Sequence, residues 1–252
     1  MTFADHFSAV AREYAGFRPS YPPALFDWLA GQAPPHDLAW DCATGSGQAA
    51  TDLARCFARV IATDASAAQI AQSVPQRGVE YRVAPAEASG LEAGSVDLIV
   101  VAQALHWFDQ SRFNAEARRV LKPGGAIAEW CYGLTTVDGA AVDDLVQHFY
   151  SEVVGPYWPA ERAHIEAGYR DLPFPFEPVA APAFTMAVAW TLAQLTGYLR
   201  TWSATARFVE ARGHDPVLAL ERDLALHWGP PDGPRRVSWP LSLRVGRAGR
   251  CG

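Results

Sequence analysis

The feature that most constrains this chain is a rhythm between residues 22 and 132, where short apolar runs alternate with amphipathic stretches. Pro22-Pro23 opens an expected helix carrying Leu25, Phe26, Trp28 and Leu29, and a short strand follows over 38–43. Gly45-Ser46-Gly47 opens the next helix, with Leu53, Ala54 and Phe57 apolar. Residues 60–63 read as a second strand, Ser66 caps a helix with Ile70 and Val74 on one face, and 79–83 alternates as a third strand. The near-continuous apolar run over 96–101 suits a strand buried on both faces of a parallel sheet. A helix over 110–121 ends at Lys122-Pro123-Gly124-Gly125, and 126–132 gives a fifth strand. Strands and helices alternating at this spacing predict an α/β, doubly wound, Rossmann-like sheet.

After Tyr132 the rhythm changes. Residues 133–178 are rich in aromatics and prolines, and helical patterns dominate 141–154, 191–211 and 216–228. Extended segments near 179–187 and 236–247 complete an expected sheet of about seven strands, mostly parallel with an antiparallel last strand. The expected organisation is a cap segment and cofactor-binding core over 1–132, a helical and aromatic insertion covering the acceptor site over 133–235, and a last strand and tail over 236–252. The late arginines Arg235, Arg236, Arg244, Arg247 and Arg250 read as a solvated face.

Composition narrows the function. A net charge of −6 over 252 residues argues against a nucleic-acid binder that must neutralise many phosphates. No run reaches 18 uninterrupted apolar residues and the N-terminus has no basic-then-apolar export signal, so no membrane association is expected. The four cysteines, 42, 56, 131 and 251, form no C-x-x-C pair and no metal-ligand spacing. They read as reduced thiols of a cytoplasmic protein, monomeric or homodimeric, with no metal expected.

The most informative stretch is Asp41-Cys42-Ala43-Thr44-Gly45-Ser46-Gly47-Gln48-Ala49-Ala50, between an expected strand and helix. Glycines there let the backbone approach a ligand closely. Asp64 ends the second expected strand, where a carboxylate can accept hydrogen bonds from both hydroxyls of a ribose. Gly45-x-Gly47-x-x-Ala50 also satisfies the dinucleotide fingerprint, which leaves an NAD(P)-dependent oxidoreductase as an alternative reading. Asp41 decides between them. A carboxylate at the tip of the first strand would face the pyrophosphate of NAD, and like charges about 4–6 Å apart cost about 1–3 kcal/mol. S-adenosylmethionine brings an amino group and a sulfonium instead, both positive.

These residues carry a resemblance. The chain resembles the class I S-adenosylmethionine-dependent methyltransferases, in the small-molecule group that includes trans-aconitate methyltransferase. The resemblance rests on Asp41-x-x-x-Gly45-x-Gly47, Asp64, Ala86-Glu87, Ser95-Val96-Asp97-Leu98-Ile99, Gln103-Ala104-Leu105-His106-Trp107-Phe108 and Leu121-Lys122-Pro123-Gly124-Gly125. Ala43 stands where the family's loop usually has a glycine.

The resemblance implies that Asp41, Ala43, Thr44, Gly45, Ser46 and Gly47 hold the methionine moiety, with Asp64 and Ala65 at the ribose. Ala86 and Glu87 would flank the adenine edge, Gln103 would face the cofactor's amino end, and His106 would lie next to the expected methyl group. The reaction would convert S-adenosylmethionine to S-adenosylhomocysteine by direct in-line transfer to a small-molecule acceptor. An acceptor carboxylate would need a cationic anchor: Arg18 first, Arg12 second, with Tyr14 beside them in a segment that closes the site. His106 is either a base or a wall of the pocket. A protein that binds the cofactor without turnover is the remaining alternative.

Overall fold

A computed structural model describes residues 19–249. Nine strands run in chain order as β1 (Leu38–Cys42), β2 (Arg59–Asp64), β3 (Val79–Val83), β4 (Val96–Ala102), β5 (Leu121–Tyr132), β6 (Thr136–Val137), β7 (Glu177–Val179), β8 (Thr185–Trp190) and β9 (Arg235–Arg247). The α-helices are α1 (Pro23–Gly31), α2 (Gln48–Leu53), α3 (Ala67–Ile70), α4 (Gln110–Val120), α5 (Ala140–His148), α6 (Arg162–Glu166), α7 (Leu192–Arg200), α8 (Ser203–Arg212) and α9 (Val217–Trp228). The chain divides into two compact units, which share β9 in sequence. One comprises Tyr21–Tyr132, His164–Phe184 and the chain from Leu241; the other contains Gly133–Ala163 and Thr185–Pro240.

In the first unit the strand order is β3-β2-β1-β4-β5-β9, and β7 pairs with the far side of β9. Strands β1 to β5 are parallel to their neighbours, and β9 runs antiparallel to β5. This is the expected doubly wound sheet. Its central strands are apolar throughout because both faces are covered: Trp40, Leu98, Ile99, Val100, Val101, Ile127 and Trp130 are fully buried.

One buried charge organises the entry to this sheet. Asp97, 1% exposed, accepts the amides of Asp37 (2.9 Å) and Leu38 (2.8 Å), which fixes the start of β1 against β4. Lys122, the chain's sole lysine, lies 2.7 Å from the other carboxylate oxygen and balances its charge. Gly125 lets β5 come this close, since a side chain there would meet the carbonyls of Lys122, Val96 and Asp97 at 3.0–3.2 Å. The strand therefore starts at Leu121 rather than at 126, with a shift of register between Val96 and Leu98.

Several expected elements are shorter than their patterns. Helix α3 is a single turn, capped by Ser66 but ending at Ile70, and Val74 is 72% exposed. Pro75 disfavours helical geometry at the residue before it. The extended run near 179–187 is two strands, β7 and β8, with Pro182 between them. The helical pattern of 191–211 breaks into α7 and α8, and that of 141–154 passes from α5 into a π-helical turn over Phe149–Val153.

In the second unit the first half of β9 is flanked by β6 and β8, all antiparallel, with Val237 opposite both Val137 and Val188. Trp190, Tyr198, Trp202 and Trp239 pack edge to face at its centre, and the Trp239 indole donates to the Tyr198 hydroxyl at 3.2 Å. Not all aromatics of 149–176 belong here. Tyr169 and Phe176 are buried in the core of the first unit, and Phe174 packs against it.

The late arginines are a correction to the sequence reading. Arg244 pairs with buried Glu129 at 2.6 Å and donates to the carbonyls of Tyr169 and Leu172. Arg247 donates to the carbonyls of Gln32 and Gly124, and Arg235 to those of Trp228, His227 and Asp138. These three are staples rather than part of a solvated face, each guanidinium donating to backbone carbonyls; Arg236 is exposed as expected, and Arg250 lies outside the described residues.

Candidate cofactor and methyl-transfer site

The site lies at the C-terminal ends of β1 and β4, which are neighbours in register, Cys42 beside Val101. Strand order reverses between these two strands, the place where doubly wound sheets open a crevice for ligands.

Residues 43–47 leave β1 in a tight turn before α2. The Thr44 amide donates to the Thr63 carbonyl (2.8 Å) and the Gly47 amide to the Thr44 carbonyl (3.0 Å), so the loop is tied to β2 and to itself. Gly47 takes φ +92°, which only glycine adopts without strain. Ala43 takes φ +56°, so an alanine occupies the left-handed region where the family usually has glycine.

Asp41 is 1% exposed and accepts the Thr44 hydroxyl at 2.5 Å through Oδ2. Burial pushes its carboxyl up to about 7, only partly offset by the Thr44 hydroxyl and the Ala50 amide, and nearby Asp64 adds to the rise. A buried carboxylate suits a ligand that brings positive charge or donors. A pyrophosphate would bring the opposite.

Asp64 ends β2, as expected. It accepts the Gly45 amide at 2.9 Å through Oδ2 and the Ser66 amide at 2.8 Å through Oδ1, so it joins the glycine loop to the start of α3. Each oxygen of a carboxylate carries two lone pairs, which leaves capacity to accept ribose hydroxyls. Ala65, next to it, is exposed, and Ala86 is buried. The Glu87 carboxylate accepts the Asp109 amide at 2.9 Å, and Asp109 in turn caps α4 through the Arg112 amide. Glu87 thus has a structural task at the start of α4.

The carboxamide of Gln103 is turned to β5. It donates to the Tyr132 carbonyl (3.0 Å) and accepts the Tyr132 amide (3.2 Å), extending the ladder past the end of β4, with its own φ at +58°. His106 sits three residues on, in a 3₁₀ turn over Leu105–Trp107, with its ring 4.7 Å from that of Trp107. Its Nδ1 is 3.0 Å from the Tyr169 hydroxyl. Sequence patterns gave no sign of Tyr169, which is 63 residues away and was read among the aromatics of the insertion. Tyr14, Arg12 and Arg18 lie outside the described residues. Tyr21, at the end of the same segment, is a core residue packed on Phe26 and Trp130.

Cys42 and Cys131 are buried free thiols, and burial raises the Cys42 thiol well above its ordinary range, so it is a small apolar side chain and no nucleophile. Among the described residues no group of His, Cys, Asp and Glu could hold a metal ion, and no helix is long and apolar enough to cross a membrane.

A sheet with its order reversing at β1 and β4, a glycine turn and a buried carboxylate beside it define a Rossmann-like protein built for a nucleoside cofactor without phosphate. Comparison with known proteins narrows this. Residues 40–128 match a family described as a methyltransferase domain. A protein of Dictyostelium discoideum named as a methyltransferase is 33% identical over 249 residues, covering 96% of this chain and 94% of its own. One from Mycobacterium tuberculosis, also named a methyltransferase, is 36% identical over 128 residues, 48% of this chain and 49% of its own. A solved structure from Anaeromyxobacter dehalogenans, described as a type II methyltransferase, is 46% identical with a TM-score of 0.89, covering 93% of this chain and 100% of that one. The chain belongs to the class I S-adenosylmethionine-dependent methyltransferases.

Proposed function

We propose that this enzyme transfers a methyl group from S-adenosylmethionine to a small-molecule carboxylate in the cytoplasm, and that Asp41, the 43–47 turn, Asp64, Ala65, Ala86, Glu87, Gln103 and His106 form the cofactor side of its site. The observation that carries the cofactor assignment is the buried carboxylate of Asp41 beside the glycine turn. When bound, S-adenosylmethionine supplies a methyl group on a sulfonium that leaves as a neutral thioether.

The chain's own residues then have limited tasks. Asp41 fixes the ammonium of the amino-acid end, Gly45 and Gly47 allow close backbone approach, and Asp64 holds the ribose while keeping the loop in place. In-line displacement needs alignment and exclusion of water, which together are worth about 7–11 kcal/mol in favourable systems. An ionised carboxylate needs no base, so nothing in the site has to remove a proton from the acceptor. The acceptor assignment is supported by the resemblance to trans-aconitate methyltransferase and by the arginine-bearing N-terminal segment, in which Arg18 is the proposed anchor and Tyr14 its neighbour.

Calorimetry with S-adenosylhomocysteine and with NAD tests the cofactor side; binding of NAD in preference would overturn it. A panel of carboxylates, phenols and amines with S-adenosylmethionine tests the acceptor, and turnover only with neutral acceptors would remove the carboxylate.

A further inference from the structure

The segment His164–Phe184 returns to the sheet unit and brings one hydroxyl to the end of β4. Tyr169 is fully buried, takes φ +60°, and its hydroxyl lies 3.0 Å from His106 Nδ1. A tyrosine held in the left-handed region is an outlier that its surroundings must enforce. Here they do: Arg244, itself paired with buried Glu129, donates to the Tyr169 carbonyl at 2.6 Å, and its guanidinium lies 5.9 Å from the centre of the tyrosine ring. The side chain is thus fixed from behind and its hydroxyl is presented to one nitrogen of one histidine.

We propose, on the basis of the carboxylate-methyltransferase reading above, that Tyr169 is a positioning residue which donates its hydroxyl proton to His106 Nδ1, locking His106 as the Nε2–H tautomer. His106 is then a hydrogen-bond donor toward an anionic acceptor and not a general base.

The direction of the bond follows from satisfaction. A buried hydroxyl must give its proton to an acceptor, and Nδ1 is the acceptor the geometry supplies. The phenol keeps that proton at neutral pH, because burial raises it well above its ordinary range, while the Leu105 amide supplies a donor to the same oxygen. A neutral imidazole carries one proton, so a proton accepted at Nδ1 as a hydrogen bond leaves the ring's own proton on Nε2. A donor is what a carboxylate acceptor requires, and a base is what it does not. The arrangement orients one carboxylate oxygen without competing for the methyl group.

The test reads the tautomer directly. Nitrogen-15 spectra of histidine-labelled protein at pH 8, assigned with His106→Gln, report which ring nitrogen of His106 carries the proton. The expected result is the Nε2–H form in the parent and a mixture of both forms in Tyr169→Phe. An Nδ1–H form in the parent overturns the inference, and so does an unchanged tautomer in Tyr169→Phe. The parent spectrum stands on its own if the variant fails to fold. Neither measurement needs cofactor or acceptor, so the inference fails or stands separately from the proposed function. With a carboxylate acceptor in hand and S-adenosylmethionine saturating throughout, Tyr169→Phe should lower kcat/KM for the acceptor on the order of tenfold, and His106→Gln should leave any acidic limb near pH 6–7 unchanged. An acidic limb abolished by His106→Gln would mark a base and overturn the donor role.

Discussion

The ammonium of Lys122 lies 2.7 Å from Oδ1 of Asp97, a carboxylate that is 1% exposed and whose second oxygen holds the amides of Asp37 and Leu38. Two sequence motifs that look independent, Ser95-Val96-Asp97 and Leu121-Lys122-Pro123-Gly124-Gly125, are halves of one contact. Lys122→Met should therefore cost about 2 kcal/mol of stability by leaving the Asp97 charge poorly compensated. Urea unfolding checks this, and the loss should shrink in the Asp97→Asn background.

Asp41 makes cofactor affinity depend on pH. Its carboxyl is raised to about 7 by burial, and the ammonium of a bound amino-acid moiety would favour the ionised form. Affinity for S-adenosylhomocysteine, which keeps the amino group, should rise about tenfold from pH 6 to pH 8. Asp41→Asn should flatten that dependence. The same raised value has the opposite consequence for the free protein. Between about pH 4 and 7 the native state retains a proton that the unfolded chain releases, so stability falls as pH rises through that window. Glu129, also raised to about 7 by burial, contributes with the same sign. Thermal melts of cofactor-free protein across pH 4.5–7.5 measure the slope.

Asp64→Ala removes the carboxylate proposed to hold the ribose and also releases the Gly45 and Ser66 amides. Cofactor affinity should fall about ten- to a hundredfold, from about 1.5–3 kcal/mol. Calorimetry decides, and unchanged affinity would take Asp64 out of the site.

Ala43 carries left-handed strain in the turn after β1. Ala43→Gly should relieve it and raise stability by about 0.5–1 kcal/mol, the strain released exceeding the extra freedom gained by the unfolded chain. Denaturant midpoints of the two proteins provide the comparison, with cofactor affinity expected to stay within a few-fold.

Arg18→Ala should raise KM for a carboxylate acceptor by the equivalent of about 2–3 kcal/mol while leaving cofactor affinity near normal. Steady-state kinetics with the identified acceptor measure it; a KM within twofold of the parent would sink the anchor role.

The sequence by itself determined the doubly wound core of five parallel strands and the position of the glycine turn, while the sheet holds nine strands rather than about seven, because β6 left no pattern and the 179–187 run is split into β7 and β8. Those features rest on local signals: apolar runs of strand length, a glycine pair between strand and helix, and an acidic residue at the end of each of β1 and β2. Tertiary structure alone decided what depends on distant partners. Arg244 looked solvated in sequence because nothing near it hints at Glu129, 115 residues earlier. The hold of the Gln103 carboxamide on the Tyr132 backbone, 29 residues on, likewise left no local signal. Tyr169 was indistinguishable from the aromatics around it until the chain's return to the sheet set it against His106. Side-chain periodicity encodes which face is buried, but a hydrogen bond between residues far apart in sequence is fixed only when packing brings both ends together.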